Sequence, residues 1–225
     1  MTAVTAPTTA APVVVEIAGP AGAGKTSLLR AIARLDPGVT AGLRVSRPQH
    51  LRTAAGLGRV LADLHWPFRG VRWIETKRVV HVEALYRAAR TSRPGPLLLD
   101  EGPVYMLSRI LVFGGSRLDA PGLQRWWRDA VMRWDATLRL VVWLDAPDAV
   151  LGARIRARAQ PHPVKGLDDI TIAAFLRDYR QAYERVLDEL GVAADGRLHR
   201  FATDRTPIER IAAQVGALLE DACRS

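Results

Sequence analysis

A three-layer α/β fold, with a five-stranded parallel sheet between two layers of helices, is what this 225-residue sequence predicts. Three observations predict it. Gly19-Pro20-Ala21-Gly22-Ala23-Gly24-Lys25-Thr26 has the spacing G-x-x-x-x-G-K-T and stands between an apolar run at 13–18 and a helical pattern from Ser27 to Arg34. Two further apolar runs, 97–99 and 138–144, each lead into acidic residues, as buried strands do where they reach the carboxyl edge of an open sheet. Amphipathic helical stretches alternate with these runs, the arrangement that links parallel strands.

The whole chain bounds the answer before any site is considered. A hydrophobic content of 48% with both charge signs interspersed describes a soluble globular protein. No apolar run reaches the ~20 residues that span a bilayer, so no membrane role is expected. Residues 1–12 are Thr, Ala and Pro without a basic residue, and read as a disordered tail ahead of a single domain, 13–225. The single cysteine, Cys223, excludes an intramolecular disulfide and a cysteine-based zinc cluster, which fits a reducing cytoplasm. The net charge of +9 attracts polyanions. Only three of the cationic residues are lysines (Lys25, Lys77, Lys165), and the arginines are dispersed. That pattern argues against nucleic acid as a partner and is met in part by phosphorylated substrates.

In chain order, the glycine loop comes first. Glycines at 19, 22 and 24 allow several N–H groups, including those of Ala21, Ala23 and Ser27, to converge on a phosphate. The following helix adds the positive end of its dipole, Lys25 neutralises the β and γ phosphates, and the Thr26 hydroxyl suits magnesium. Residues 39–46 read as a short strand ended by Pro48, which makes Arg47 a candidate substrate contact or a solvated arginine. Helical spacing recurs over 49–64 and 71–89. The intervening loop carries Trp66 and Phe68, either a stacking platform for an acceptor ring or ordinary core contacts. Together 47–95 form the expected acceptor-binding helical region.

Leu97-Leu98-Leu99 then leads into Asp100-Glu101, the second half of the expected site. An Asp there holds magnesium, and either acid can take a proton from the acceptor. The apolar helix 104–113 carries Tyr105 and Arg109 on one face toward the same cleft. Pro121 opens a helix whose Trp126, Trp127 and Trp134 suit a core or the interface of a homodimer. After strand 138–144 and a helix from about Asp148, Arg154 and Arg158 share a helix face and open a lid, 154–168, that closes over the transferring phosphate. An amphipathic helix follows at 170–190, then a strand at 198–202 leading into Thr203-Asp204-Arg205, and Pro207 starts the terminal helix.

With these pieces assembled, the chain resembles the P-loop nucleoside and nucleotide kinases, most closely the thymidylate kinase and deoxynucleoside kinase group. Gly19 to Thr26 looks like their phosphate loop, and Val45-Ser46-Arg47-Pro48 is similar to the Arg-Glu-Pro turn without its Glu. Arg154 to Arg158 resembles their lid, and Thr203-Asp204-Arg205 sits where their adenine loop does. The resemblance implies a P-loop NTPase fold, ATP and magnesium as cofactors, and phosphoryl transfer to a small-molecule acceptor, a nucleoside, nucleotide or related metabolite. Two departures stand out: Glu101 replaces the arginine that follows the acid in that group, and the Glu-x-Trp base motif is absent. A kinase scaffold with an altered acceptor pocket results. Two other readings remain: a P-loop ATPase switching a protein partner, and a 5′-end polynucleotide kinase. The absence of Asn-Lys-x-Asp counts against a GTPase.

Overall fold

The computed structural model describes residues 11–58, 60–61, 73–114, 119 and 121–224. Trp66 and Phe68, and most of the predicted N-terminal tail, lie outside the described residues. Strand β1 (Pro12–Ala18) runs through the middle of the sheet, between β3 (Gly95–Leu99) and β4 (Leu138–Asp145). β2 (Thr40–Ala41) and β5 (Leu198–Ala202) take the two edges, giving the order β2-β3-β1-β4-β5 with every neighbour parallel. This is the five-stranded parallel sheet that the sequence predicts.

Alternation along the strands feeds two separate cores. Val14, Ala18, Leu97, Leu99 and Trp143 face one layer, while Val15, Ile17, Leu98, Val142 and Leu144 face the other. Burial on both faces is why these strands read as unbroken apolar runs. The first core is closed by α3 (Trp73–Arg90), α4 (Pro103–Gly114), α5 (Pro121–Asp135) and most of α7 (Asp169–Glu189). The second is closed by α1 (Lys25–Leu35), α6 (Asp148–Ala157) and α8 (Ile208–Arg224). Trp126, Trp127 and Trp134 are buried in the first core, so packing within the chain accounts for them. Among the described residues no helix is long and apolar enough to cross a membrane.

One strand is shorter than predicted. Pairing in β2 stops after Thr40 and Ala41, because Gly42 takes φ +78° and turns the chain out of the sheet. The residues read as the end of a strand instead lead into α2 (Arg47–Gly56). Ser46 caps that helix reciprocally with Gln49, and Pro48 sits in its first turn, where a missing N–H is harmless. The Ser-x-x-Gln spacing was the sequence signal for this start. Arg47 is therefore an exposed residue of a helix's first turn and does not line the cavity described below.

Candidate active site

The carboxyl ends of the parallel strands meet at one edge of the sheet, where open α/β sheets bind ligands. β1 runs directly into the glycine loop, and Gly24 at φ +96° is the N-cap of α1. Gly19 is there for a second reason besides its φ of +139°: a Cβ at this position would stand 2.1 Å from the Leu144 carbonyl oxygen of β4. The loop thus lies tight against the neighbouring strand. Gly19→Ala is expected to destabilise the fold by about 3 kcal/mol, read as a lowered urea midpoint. An unchanged midpoint would mean that the loop can leave Leu144 without penalty.

Lys25, the first residue of α1, donates from Nζ to the carbonyl oxygens of Gly19 (2.7 Å) and Pro20 (3.0 Å). Its burial pushes its pKa down to about 8, and the Asp100 and Glu101 carboxylates hold it from falling further. Next to it the Thr26 hydroxyl donates to Asp100 Oδ2 at 3.4 Å. A hydroxyl and a carboxylate oxygen meeting beside a phosphate loop form a hard-oxygen donor pair. That set fits magnesium, which takes one or two protein ligands and completes its shell with water and phosphate oxygens. Among the described residues no group of three or more His, Cys, Asp and Glu gathers, so an all-protein cage is not built here.

Glu101 is exposed and lines the same cavity. A third acid lies beneath the pair and was missed in the sequence, where Glu16 passed as part of an apolar run. It is fully buried on β1, on the same face as Val14 and Ala18. Its carboxylate accepts the N–H groups of Val104 (Oε2, 2.8 Å) and Tyr105 (Oε1, 2.9 Å), and so caps α4 from the central strand. Gly102 makes room for it: a Cβ there would stand 2.6 Å from the Glu16 carboxyl. Desolvation outweighs these bonds and pushes the Glu16 pKa up to about 8. The signal was legible as one charge inside a doubly buried strand.

The two predicted lid arginines come to the cavity by different routes. α6 ends at Ala157 and Arg158 follows in extended backbone, φ −67° and ψ 145°, so the pair does not share one helix face as the spacing predicts. Arg154 is tied to the far side of the site, donating to Thr203 Oγ1 and Thr203 O (both 2.9 Å) and to Gly22 O (3.3 Å). Arg158 lies near enough to Lys25 for its charge to help push the Lys25 pKa down. Of the predicted Thr203-Asp204-Arg205 segment, Thr203 lines the cavity, while Asp204 and Arg205 are exposed and pair with one another at 3.6 Å.

These groups enclose a single cavity of about 790 Å³. The phosphate loop between Gly19 and Ser27, Asp100, Glu101, Arg154 and Arg158 line it. Aromatic residues line it as well, as a wall: Tyr105 from α4, and Phe175, Tyr179 and Tyr183 from α7. Phe175 and Tyr179 pack with ring centroids 4.7 Å apart. The three α7 aromatics recur every four residues, a stripe present in the sequence but read there only as one face of an amphipathic helix. Arg109 stands behind this wall and does not line the cavity; its Nη1 donates to the Tyr105 hydroxyl at 2.9 Å.

No family model matches the sequence, and no curated protein does. Solved structures match its fold over nearly the whole chain. The deoxyadenosine kinase of M. mycoides with bound dCTP superposes with a TM-score of 0.56 at 12% identity, covering 91% of this chain and 100% of the kinase. The shikimate kinase of Bacteroides thetaiotaomicron gives a TM-score of 0.53 at 20% identity, with 92% and 98% covered. The YorR protein of Bacillus subtilis, in complex with phosphorylated GDP, gives 0.54 at 17% identity, with 92% and 96% covered. At such identities the likeness is one of architecture, and on that ground the chain has the fold of the P-loop nucleoside and shikimate kinases.

Proposed function

We propose that the protein is an ATP- and magnesium-dependent small-molecule kinase, which transfers the γ-phosphoryl group to a nucleoside, nucleotide or related metabolite. The observation that carries this reading is the cavity's mixed lining of phosphate-loop and aromatic residues. Its phosphate-loop side is complete, and about 790 Å³ bounded by an aromatic wall leaves room for a second substrate beyond the triphosphate. A hydrolytic switch has no need of such a wall. The neighbours named above support the same class, since their own names specify small-molecule acceptors.

In this reading the backbone of the glycine loop and Lys25 hold the phosphates, and Arg154 with Thr203 borders the nucleoside end. Thr26 and Asp100 are the residues that would hold magnesium. The ion, when bound, neutralises charge shared between the β and γ phosphates. Glu101 takes the proton of the acceptor hydroxyl. The freed oxygen bonds to the γ-phosphorus as the bond from that phosphorus to the β–γ bridging oxygen breaks, leaving ADP. Arg158, whose charge reaches Lys25, faces the charge that develops on the transferred group.

The experiment is transfer from γ-labelled ATP with magnesium across nucleosides, nucleotides, sugars and hydroxy acids, with a water-only control. Acceptor-dependent labelled product is expected. Hydrolysis that no acceptor alters would sink the kinase reading and favour the ATPase. Glu101→Gln is expected to lower kcat by about 10²- to 10⁴-fold and to abolish the acid limb of its pH profile. An unchanged profile would move the base to Asp100.

A further inference from the structure

The acceptor wall holds a cation whose purpose the fold does not explain. Arg109 on α4 is half-buried, and among the described residues it makes no ion pair with a carboxylate. Its Nε is buried without a hydrogen-bond partner. Its guanidinium lies over the rings of Tyr105 (5.4 Å) and Phe113 (5.9 Å). A partly desolvated cation left to aromatic rings and two tyrosine hydroxyls is expensive unless something negative completes it.

Arg109 reaches the hydroxyls of both Tyr105 and Tyr179, and the direction of its bond to Tyr105 says where that something would bind. Arg109 can only donate, so the Tyr105 oxygen is the acceptor at 2.9 Å. The phenolic proton, which lies near the ring plane, is thereby turned to the other side of the oxygen. Tyr105 lines the cavity, and its O–H becomes a donor for a ligand there, polarised by the positive charge behind it. Burial holds the Tyr105 pKa above its ordinary value and pushes that of Tyr179 up to about 12, so both phenols stay protonated donors at neutral pH. At Tyr105 the field of Arg109 also outweighs the opposing field of Glu101. At Tyr179 Arg109 is again the leading charged neighbour.

We propose that Tyr105, backed by Arg109, is an anion-reading site, and that the acceptor carries a carboxylate or phosphate group in addition to the hydroxyl it presents to Glu101. The aromatic rings of Phe175, Tyr179 and Tyr183 beside it give that acceptor a ring or other apolar body to lay against the wall. This inference rests on the kinase reading for the identity of the cavity, but it concerns recognition and is tested by binding.

The test uses the full-length protein saturated with ADP and magnesium, so that added anions cannot simply occupy the phosphate loop. Calorimetry compares matched neutral and anionic probes: thymidine with dTMP, 3-hydroxybenzyl alcohol with 3-hydroxybenzoate, and myo-inositol with quinate. In at least one pair the anionic member is expected to bind at least ten times more tightly than its neutral counterpart. The pair that shows it tells phosphate from carboxylate. In Tyr105→Phe, which keeps the ring, that advantage is expected to shrink at least fivefold while binding of the neutral member changes less than twofold. Equal affinities within every pair, no binding of any anionic probe, or an advantage that survives in Tyr105→Phe would overturn the proposal. Transfer assays on the same probes keep the two ideas apart: anion-selective binding without phosphorylation removes the kinase reading and leaves the site, whereas phosphorylation without charge preference does the reverse.

Discussion

Lys25→Ala is expected to reduce phosphoryl transfer by about 10²- to 10³-fold or more, the loss that follows removal of one preorganised donor to transition-state charge. The same substitution is expected to leave the melting temperature unchanged or slightly raised. Lys25 is held half-buried with its pKa pushed down to about 8, so its charge is not a source of folding stability at pH 7. Its contacts to the Gly19 and Pro20 carbonyls at 2.7 and 3.0 Å are local to the loop. The separation of the two readouts matters. Residual transfer near the wild-type rate would remove Lys25 from catalysis, and lost activity with a lowered melting temperature would make the result a folding defect.

The second large effect concerns stability and pH. In the unfolded chain Glu16 ionises near the ordinary carboxyl value of 4.5, and burial pushes it up to about 8 in the folded protein. Between those values the folded state holds a proton that the unfolded state has lost, so stability falls as pH rises through this window. Across the window the linkage takes away a sizeable part of the stability of an ordinary domain. Glu16→Gln does not titrate. Urea midpoints measured at pH 5, 6.5 and 8 are therefore expected to fall steeply for the wild type and far less for the variant. Parallel curves would mean that Glu16 ionises freely in the folded state. Lys25 acts in the opposite sense at higher pH. Its folded pKa near 8 lies below the usual 10.5, so stability recovers as pH rises from 8 toward 10.5, where the unfolded state holds the extra proton.

The ionisation of Glu16 is linked to the site's geometry because its carboxyl caps α4, the helix that brings Tyr105 to the cavity. Gly102 is part of the same arrangement, since any side chain there meets the Glu16 carboxyl. The turn after Asp100-Glu101 is thus set from below by β1. This offers a physical reason for a glycine at position 102.

What could be read from the chain alone were features whose physics is local. The phosphate loop is eight consecutive residues whose glycines, lysine and threonine each answer to a nearby backbone requirement, and the loop stands where the spacing puts it. Apolar runs ending in acids identified β3 and β4, because strands buried on both faces leave no room for alternation. The second strand failed for an equally local reason, since Gly42 and the Ser46–Gln49 cap outweighed a weak β pattern. The three-dimensional fold alone decided what depends on partners distant in sequence. Glu16 finds its donors 88 residues away, and that distance turns a lone strand charge into a buried acid. Arg154 is fixed by Thr203, 49 residues on, while Arg158 lines the same cavity and its charge reaches Lys25. The aromatic wall forms only when α4 and α7 pack side by side. Periodicity shows which face of a helix is apolar; which opposing face completes a cavity is set by the packing of the whole chain.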